Sequence, residues 1–281
     1  MPELPEVETV RRGLERHLKG KTFLKVTPRR EGLRFPFPSN LASALKGRTV
    51  LGIERRAKYL LIRLSDGLTL LGHLGMTGSF VFVSETPYQP KRHDHVLFKL
   101  SDGALMVYND PRRFGVIDVL KTGEESTHRL LHHLGPEPLG KAWTAAIFCD
   151  TIRKKRGPIK TTILDQKVVV GVGNIYACEA LFISKISPLK PAGEVAGTGR
   201  SSPQARLLVK SIKSILATAI DAGGSTLKDF QDVEGNAGYF AQQFQVYDRE
   251  GEDCKRAGCS STIERMVQGG RSTFYCPTCQ R

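Results

Sequence analysis

The chain has 281 residues, and its content of 40% hydrophobic and 25% charged residues is typical of a soluble globular protein with a buried core. Its 42 lysines and arginines outnumber 28 aspartates and glutamates, and the net charge of +14 indicates a polyanionic partner, either nucleic acid or an anionic membrane surface. No apolar run approaches the ~18 residues of a membrane span and no secretory signal opens the chain, so we expect nucleic acid as the partner and the cytosol as the compartment.

The first ten residues, MPELPEVETV, carry a candidate nucleophile. Removal of Met1 would leave Pro2 with a free secondary amine beside the carboxylate of Glu3. An α-amino group titrates near pH ~8, so a fraction of it is unprotonated at neutral pH and attacks electrophilic carbons. The alternative is that a proline at position 2 merely protects the N-terminus or starts a turn. Apolar residues at helical spacing then predict a helix over residues 4–19, started by Leu4 and Pro5.

Short strands follow from about residue 23 to residue 120. Apolar runs at 58–64, 68–74 and 95–100 are separated by Ser-Asp-Gly turns at 65–67 and 101–103. Such punctuation predicts a β-sandwich or a β-barrel. The sequence Gly-Pro-Glu-Pro at 135–138 then indicates a domain boundary.

The second half begins with a basic run, in which residues 153–160 hold five cations in eight positions. A solvated face is the alternative, but the charge of the whole chain favours a phosphate-binding patch. One helix is predicted to begin at Asn174 as its N-cap, and another from Ser202-Pro203 to Gly223-Gly224. With backbone amides free at 171–174, these helices form a candidate phosphate clamp. We expect a flexible linker at 192–199.

Four cysteines near the C-terminus have the spacing of a metal site. Cys254-x4-Cys259 and Cys276-x2-Cys279 are separated by sixteen residues, which predicts a closed four-cysteine zinc site with a structural role. Disulfides are the alternative, and a reducing cytosol disfavours them. Between the pairs we expect a hairpin that turns at 268–270 and presents Arg271 to a phosphate or to solvent. We expect the two remaining cysteines, at 149 and 178, to pack as small hydrophobic residues.

Taken together and in order, these motifs resemble bacterial formamidopyrimidine-DNA glycosylases over the whole chain. The resemblance rests on the segments 2–9, 56–60, 73–78, 110–115 and 170–177 and on the zinc ribbon. Endonuclease VIII, the sister family, typically begins Pro-Glu-Gly-Pro, so Leu4 favours the branch that acts on purines. One departure is the first zinc knuckle, which is usually Cys-x2-Cys in the family. Here four residues separate Cys254 and Cys259, two more than in the family pattern, and this difference leaves the ribbon geometry near Arg271 open.

The resemblance implies an α+β fold with three parts: an N-terminal catalytic β-sandwich with flanking helices (1–135), a helix-two-turn-helix DNA-binding domain (136–240) and a four-cysteine zinc ribbon (241–281). It implies a bifunctional DNA glycosylase and AP lyase of base excision repair, which removes 8-oxoguanine and formamidopyrimidines and then cleaves the strand by β,δ-elimination. The implied partner is double-stranded DNA with oxidised purines or abasic sites, and the implied cofactor is one structural zinc ion. We expect a monomer in the bacterial cytosol, associated with the nucleoid through DNA.

Roles are carried over from the family residue by residue. Pro2 is the nucleophile that forms a Schiff base, Glu3 handles protons, Lys58 is an acid, and Glu6 is a second carboxylate of the catalytic pocket. The gap left by the flipped base is filled by Met76, Arg112 and Phe114, and the arginine pairs with the orphaned cytosine. Phosphate contacts map to His93, Lys155, Lys160, Asn174 and Arg271, of which Arg271 is also counted as catalytic. The segment 223–239 matches a loop that closes on the extruded base.

Two other functions are compatible with parts of the pattern. An endonuclease VIII-like enzyme would act on oxidised pyrimidines, and duplexes with 8-oxoguanine or thymine glycol separate the two activities. A DNA-binding protein without catalysis would keep the charge and the ribbon. The joint presence of Pro2, Glu3 and Lys58 disfavours that third interpretation.

Overall fold

A computed structural model of the 281-residue chain describes residues 2–83, 87–225, 233 and 238–281. Two units divide the chain: one holds Met1–His132 and Ala222–Tyr239, and the other holds His133–Asp221 and Phe240–Arg281. The three domains expected from the sequence stay a prediction. Within the described ranges, no helix is both long and apolar enough to cross a membrane.

The first unit contains two α-helices and eight strands within the described residues. In chain order these are α1 (Leu4–Leu18), β1 (Phe23–Pro28), α2 (Leu41–Leu45), β2 (Val50–Arg56), β3 (Tyr59–Leu64), β4 (Leu68–His73), β5 (Ser79–Val83), β6 (Asp94–Leu100), β7 (Leu105–Asn109) and β8 (Val116–Lys121). The strands form two antiparallel sheets, in the orders β1-β6-β7-β5 and β2-β3-β4-β8.

One hydrophobic core joins the two sheets and α1. Phe98 and Tyr108 come from the first sheet, Leu60 and Leu70 from the second, and Leu14 from the helix, and all are fully buried. Successive side chains of a strand point to opposite faces of its sheet, so one face of each sheet packs against this core. The expected β-sandwich with flanking helices is thereby confirmed.

Helix α1 begins where the sequence predicts, at Leu4 with Pro5 as its second residue. Glu3 is its N-cap, and Glu3 and Glu6 form a capping box in which each carboxylate accepts the backbone N–H of the other residue. This arrangement satisfies two of the N–H groups that a helix start leaves without partners. The two carboxylates are therefore structural partners of the backbone as well as candidate catalytic groups.

Within the described residues, the second unit contains five α-helices and a two-stranded ribbon. In chain order these are α3 (Ala145–Ile152), α4 (Ile159–Leu164), α5 (Asn174–Ile183), α6 (Ala192–Ala196), α7 (Pro203–Asp221), β9 (Glu264–Gln268) and β10 (Arg271–Tyr275). Helices α5 and α7 pack against each other. The N-cap of α5 is Gly173, one residue before the predicted Asn174. Helix α7 begins as predicted, because the hydroxyl oxygen of Ser202 accepts the N–H of Ala205 at 2.9 Å.

The expected linker at 192–199 is wrong for its first part. Residues 192–196 form α6, whose Ala192, Val195 and Ala196 are fully buried. The segment is held by Arg153, whose guanidinium donates to the carbonyls of Gly197 and Gly199. Small residues without an evident period gave no helical signal, whereas packing of three small apolar side chains stabilises this short helix.

Candidate functional site

The N-terminal turn and the glycine segment at 223–225 meet at one buried carboxylate. Glu6 is 2% exposed; its Oε2 accepts the N–H of Glu3 at 2.8 Å and its Oε1 accepts the N–H of Ser225 at 2.8 Å. Gly224 has φ +84°, and a methyl group there would lie 3.1 Å from Glu6 Cγ. Glu6 thus holds two separate chain segments beside the buried Pro2.

Replacement of Glu6 by glutamine should destabilise the first unit by about 1–3 kcal/mol. Both carboxylate oxygens accept backbone N–H groups, so the carboxamide would place its NH₂ donor against one of them. Urea unfolding measures the change, with the exposed Glu124→Gln as control, which should stay within about 0.5 kcal/mol of wild type. Equal stability of the Glu6 variant and wild type would contradict the geometry.

Lys58 lies in a strained two-residue turn between β2 and β3. Its neighbour Ala57 has φ 55°, in the left-handed region that costs a non-glycine residue about 1–2 kcal/mol. The guanidinium of Arg55 holds this turn, because it donates to the carbonyl of Ala57 at 2.9 Å and to Glu8 Oε2 of α1 at 3.1 Å. Helix α1 therefore fixes both the N-terminal turn and the backbone that carries Lys58.

His73 lies in this region and was not among the site residues predicted from the sequence. Its burial, together with the nearby Lys58 and Arg34 cations, lowers the pKa of His73 to about 4. Nδ1 of His73 accepts the N–H of Gly75 at 3.0 Å, so the neutral ring carries its hydrogen on Nε2. The ring lies 4.7 Å from that of Tyr59. Its place at the end of β4, next to the conspicuous Gly-Met-Thr-Gly segment, was the signal available in the sequence.

The depressed pKa of His73 predicts a pH-dependent stability. The folded-state pKa of about 4 is below the ordinary 6.5, so the stabilisation is complete above pH 6.5 and is lost as the pH falls toward 4. We expect the free energy of unfolding to fall by about 2–3 kcal/mol over this window. Urea unfolding between pH 7 and pH 4 should show this step in wild type and lack it in His73→Asn, whose side-chain oxygen also accepts the Gly75 N–H. If both proteins showed the same fall in stability, the fall would arise from titratable groups other than His73.

The three side chains predicted to fill the gap in DNA are brought together by the fold. Met76, Arg112 and Phe114 line one cleft of about 650 Å³, and Met76 and Phe114 are 37% and 43% exposed. The guanidinium carbon of Arg112 lies 5.0 Å from the centre of the Phe114 ring. Large apolar side chains with this exposure, beside a stacked cation, are available to insert between bases. We refer to these three residues as the wedge.

A buried carboxylate organises the wedge. Asp110 is fully buried; its Oδ1 accepts the Thr77 hydroxyl at 2.6 Å and its Oδ2 accepts the N–H of Gly115 at 2.8 Å. The backbone at Gly75 has φ +60°, and a methyl group there would collide with the backbone of Phe114. Asp110 and Gly75 together keep the segment of Met76 and the segment of Phe114 side by side.

His93 lies beside the same segment. Its carbonyl accepts the N–H of Asp110 at 3.0 Å, and its ring, partly exposed, lies 6.5 Å from that of His95. The placement leaves the imidazole of His93 accessible next to the wedge. Its phosphate contact stays a prediction.

In the second unit, Lys160 is placed differently from the prediction. Its side chain is 0% exposed, and Nζ donates to Thr273 Oγ1 at 2.6 Å and to the Ser272 carbonyl at 3.1 Å. An ammonium with no solvent exposure does not reach a phosphate, so the expected direct contact is corrected. The spacing of charges in 153–160 does not reveal which lysine points inward. Lys160 instead fixes the strand that begins with Arg271.

Asn174 holds the same strand from the start of α5. Its Nδ2 donates to the Ser272 carbonyl at 2.8 Å, and its buried Oδ1 has no hydrogen-bond partner among the described residues. The ribbon turns at Gly269 and Gly270, with φ of 54° and 72°, which confirms the predicted glycine hairpin. Arg271 directly follows this turn and is exposed. Lys155, also accessible, lies 3.8 Å from Asp165 Oδ2. The contacts of these residues with phosphates stay predictions.

The four cysteines form a site with the dimensions of zinc. Their sulfurs all lie within 4.8 Å of one another, with Cys254 and Cys279 3.9 Å apart and Cys259 and Cys276 3.7 Å apart. Four thiolates about 2.3 Å from a tetrahedral Zn²⁺ would be separated by about 3.8 Å. These separations exclude disulfides, and a closed set of four ligands leaves no open position for catalysis.

The long first knuckle is anchored to the helical part of its own unit. Arg256 Nη2 donates to the Phe182 carbonyl near the end of α5 at 2.7 Å, and its guanidinium lies 4.6 Å from the Phe182 ring centre. Lys255 Nζ donates to the Phe244 carbonyl at 2.8 Å. The extra residues therefore add contacts to α5 and leave the four sulfurs together.

Part of the predicted base-closing segment lies outside the described residues, namely 226–232 and 234–237. Gly223, Gly224 and Ser225 are described, and Ser225 pairs with the exposed Tyr239 across a β-bridge. The N–H of Tyr239 also donates to the carbonyl of Ala222 at 3.1 Å. The two ends of the segment are thus held together beside Glu6.

Three family models match the chain in succession. The formamidopyrimidine-DNA glycosylase N-terminal domain matches residues 1–117, the formamidopyrimidine-DNA glycosylase H2TH domain matches residues 134–231, and the zinc finger found in FPG and IleRS matches residues 251–281. The last match and the four-sulfur geometry agree on the cofactor, which is one structural zinc ion.

Relatives and solved structures match over full length. A formamidopyrimidine-DNA glycosylase of Roseobacter denitrificans is 46% identical over 289 residues, with all of both chains covered. The crystal structure of the MutM (Fpg) protein of Thermus thermophilus is similar with a TM-score of 0.86 and 38% identity, over 99% of this chain and 98% of that one. A Lactococcus lactis Fpg mutant in complex with Fapy-dG containing DNA is similar with a TM-score of 0.90 and 33% identity, over 100% of both chains.

Proposed function

Because the chain belongs to the formamidopyrimidine-DNA glycosylase family, we propose that it excises oxidised purines, 8-oxoguanine and formamidopyrimidines, from duplex DNA and then cleaves the strand at the abasic site. In this proposal it works as a monomer in the bacterial cytosol. The net charge of +14 and the Fapy-dG containing DNA bound by its Lactococcus lactis relative support DNA as the substrate.

The proposal rests on one observation: the catalytic candidates Pro2, Glu3 and Lys58 are connected through one helix of the first unit. Glu3 and Glu6 cap the helix that follows Pro2, and the same helix, through Glu8 and Arg55, holds the turn of Lys58. A nucleophile, a carboxylate for proton transfer and an ammonium acid are the groups that amine-based base excision needs. A binding protein without chemistry has no need of this arrangement.

The proposed reaction starts at the sugar. The Pro2 nitrogen, freed by removal of Met1, attacks the anomeric carbon of the flipped nucleotide, the glycosidic bond breaks, and the base leaves with the bonding electrons and takes up the proton that the attacking nitrogen gives up. Glu3 delivers a proton to the ring oxygen as the sugar opens, and the nitrogen lone pair forms the iminium. Glu6 holds the backbone N–H of Glu3 and so orients this turn.

Strand cleavage then follows from the electron-withdrawing iminium. It acidifies the neighbouring C–H, so loss of that proton expels the 3′ phosphate in β-elimination, and a second elimination expels the 5′ phosphate. Lys58 serves as an acid for these steps. We propose phosphate contacts for His93, Lys155, Asn174 and Arg271, insertion of the wedge into the duplex, and for Lys160 a role in positioning the strand of Arg271.

Borohydride trapping tests the proposal. Wild-type protein incubated with a duplex holding 8-oxoguanine opposite cytosine should yield a covalent adduct and, without borohydride, a nick that leaves phosphates on both sides. A matched duplex with thymine glycol should react more slowly, because Leu4 favours the purine-directed branch. Faster reaction on thymine glycol would favour an endonuclease VIII-like activity, and no adduct on either duplex would contradict the covalent mechanism.

A further inference from the structure

A second set of cations faces the wedge from the loop at 29–37. Arg30 and Arg34 of this loop line the cleft of about 650 Å³ together with Arg112, Arg113, Met76 and Phe114. We refer to it as the arginine cleft. All of its lining residues belong to the first unit, and its volume is in the range of small-ligand sites.

The four arginines of this cleft lack the carboxylate partners that other arginines of the unit have. Arg11, Arg63 and Arg129 each form an ion pair with a carboxylate. None of the four guanidinium groups of the arginine cleft has a carboxylate within salt-bridge distance in the described part of the chain. Glu31, the acidic residue of the loop, lines a neighbouring depression. Four planar cations around one cavity, without carboxylates to neutralise them, favour an anion that accepts several hydrogen bonds.

Several contacts hold the loop at 29–37 in place. The N–H of Phe37 donates to the Glu31 carbonyl at 2.8 Å, and Gly32 approaches Pro36 so closely that a methyl group would lie 2.5 Å from Pro36 Cα. The guanidinium of Arg129 lies 4.4 Å from the Phe35 ring centre. Hydrogen-bond donors that are already held in place lose less conformational entropy when they bind an anion, and this increases the affinity of the cleft for its ligand.

The cleft is also tied to the groups of the proposed reaction. The N–H of Arg34 donates to the carbonyl of Gly115, next to the wedge residue Phe114, at 3.4 Å. Arg34 is close enough to lower, together with burial and Lys58, the pKa of His73. A ligand bound in the arginine cleft would therefore lie next to the molecule into which the wedge inserts.

We propose that Arg30 and Arg34 form a phosphate-binding subsite beside the wedge, which takes a backbone phosphate of the DNA next to the extruded nucleotide. The subsite rests on the proposed function, because the wedge and the phosphate belong to the same duplex. A phosphodiester offers two anionic oxygens that match the fork of an arginine. The contact is independent of base identity and holds the backbone while the wedge is inserted.

Salt dependence of binding tests the subsite. The probe is a duplex with a stable abasic-site analogue, which is bound but not cleaved. Arg30→Gln/Arg34→Gln should weaken binding about tenfold at 0.1 M salt and reduce the slope of log affinity against log salt by about 1–2. Arg34→Lys should keep most of the slope, because it keeps the charge. Thermal unfolding should match wild type, because Arg34 is exposed and Arg30 partly so.

Lys99→Gln/Lys121→Gln provides a control with the same loss of charge. Both lysines are exposed in the same unit. Lys121 stands five residues along β8 from Val116, which pairs with His73 of the cleft, and that separation is about 17 Å. This control should bind within about twofold of wild type. An equal loss in both double variants would overturn the subsite and assign the effect to net charge.

Neutral methylphosphonates, placed one at a time along each strand, locate the phosphate. At one or two positions next to the abasic analogue, the modification should weaken wild type and leave the Arg34→Gln variant unchanged. Additive losses at every position would overturn the proposal. Tight binding of inorganic phosphate or guanosine monophosphate that depends on Arg34 would also overturn it, if the salt dependence of duplex binding stayed unchanged. The site would then bind free nucleotides. Wild-type protein that does not bind the duplex would overturn the proposed function as well.

Discussion

Protein that retains Met1 should bind lesion DNA with nearly wild-type affinity and form no covalent adduct with it. Peptide-bonded Pro2 has no lone pair available for attack, so the nucleophile is absent while the wedge and the cations remain. We expect the rate of strand cleavage to fall by at least about 10³-fold, because removal of the covalent nucleophile of a serine protease lowers kcat by about 10⁶-fold. Anisotropy of labelled duplex and borohydride trapping measure binding and chemistry separately.

The matched control carries one added methionine after the exposed Arg281, where it should leave cleavage intact. A protease-removable N-terminal extension that ends directly before Pro2 offers a second control, because cleavage activity should return on its removal. Pro2→Gly, which replaces the secondary amine by a primary amine, should give much less adduct than wild type. An undiminished adduct with Met1 retained, or with Pro2→Gly, would rule out the secondary amine as the nucleophile.

Loss of the zinc ion should abolish DNA cleavage although the metal performs no chemistry. Binding of a structural zinc contributes on the order of 10 kcal/mol to the fold of small zinc domains. Cys276→Ser removes one of the four ligands, so the strand of Arg271 should lose its fixed position. We expect less than one zinc per chain by atomic emission and a fall in cleavage of about 100-fold or more.

Cys149→Ala is the control, because Cys149 is a buried free cysteine of α3 and does not belong to the four-sulfur cluster. It should keep one zinc per chain and most of the activity. A Cys276→Ser variant that is free of zinc yet cleaves at the wild-type rate would show that the ribbon is dispensable for catalysis.

Features written in local patterns were predictable from the sequence. The start of α1 follows from Leu4-Pro5, the hairpin from Gly269-Gly270, and the zinc site from cysteine spacing, because each depends on a few adjacent residues. The strands of the sandwich followed from short apolar runs separated by Ser-Asp-Gly turns.

Features that depend on long-range packing were not predictable in the same way. Lys160 belongs to a run of basic residues that reads as exposed. Its burial becomes evident only from the fold, in which its Nζ donates to Thr273. Glu6 meets Ser225 across more than two hundred residues, and the strained Ala57 depends on Arg55 and Glu8. Helix α6 has no amphipathic period, since five residues are too few to show one.

The zinc ribbon is attached at both ends of α5, so the length of that helix determines whether both attachments can form. Asn174 at its first turn donates to Ser272, and Phe182 near its last residue accepts from Arg256. Ten helical residues span about 15 Å, and one inserted residue advances a helix by about 1.5 Å and rotates its end by about 100°. An insertion or deletion within α5 could therefore preserve one of the two attachments but would break the other. Family members should vary in the zinc knuckle, where an added loop finds a carbonyl to bind, more readily than in the number of residues in this helix.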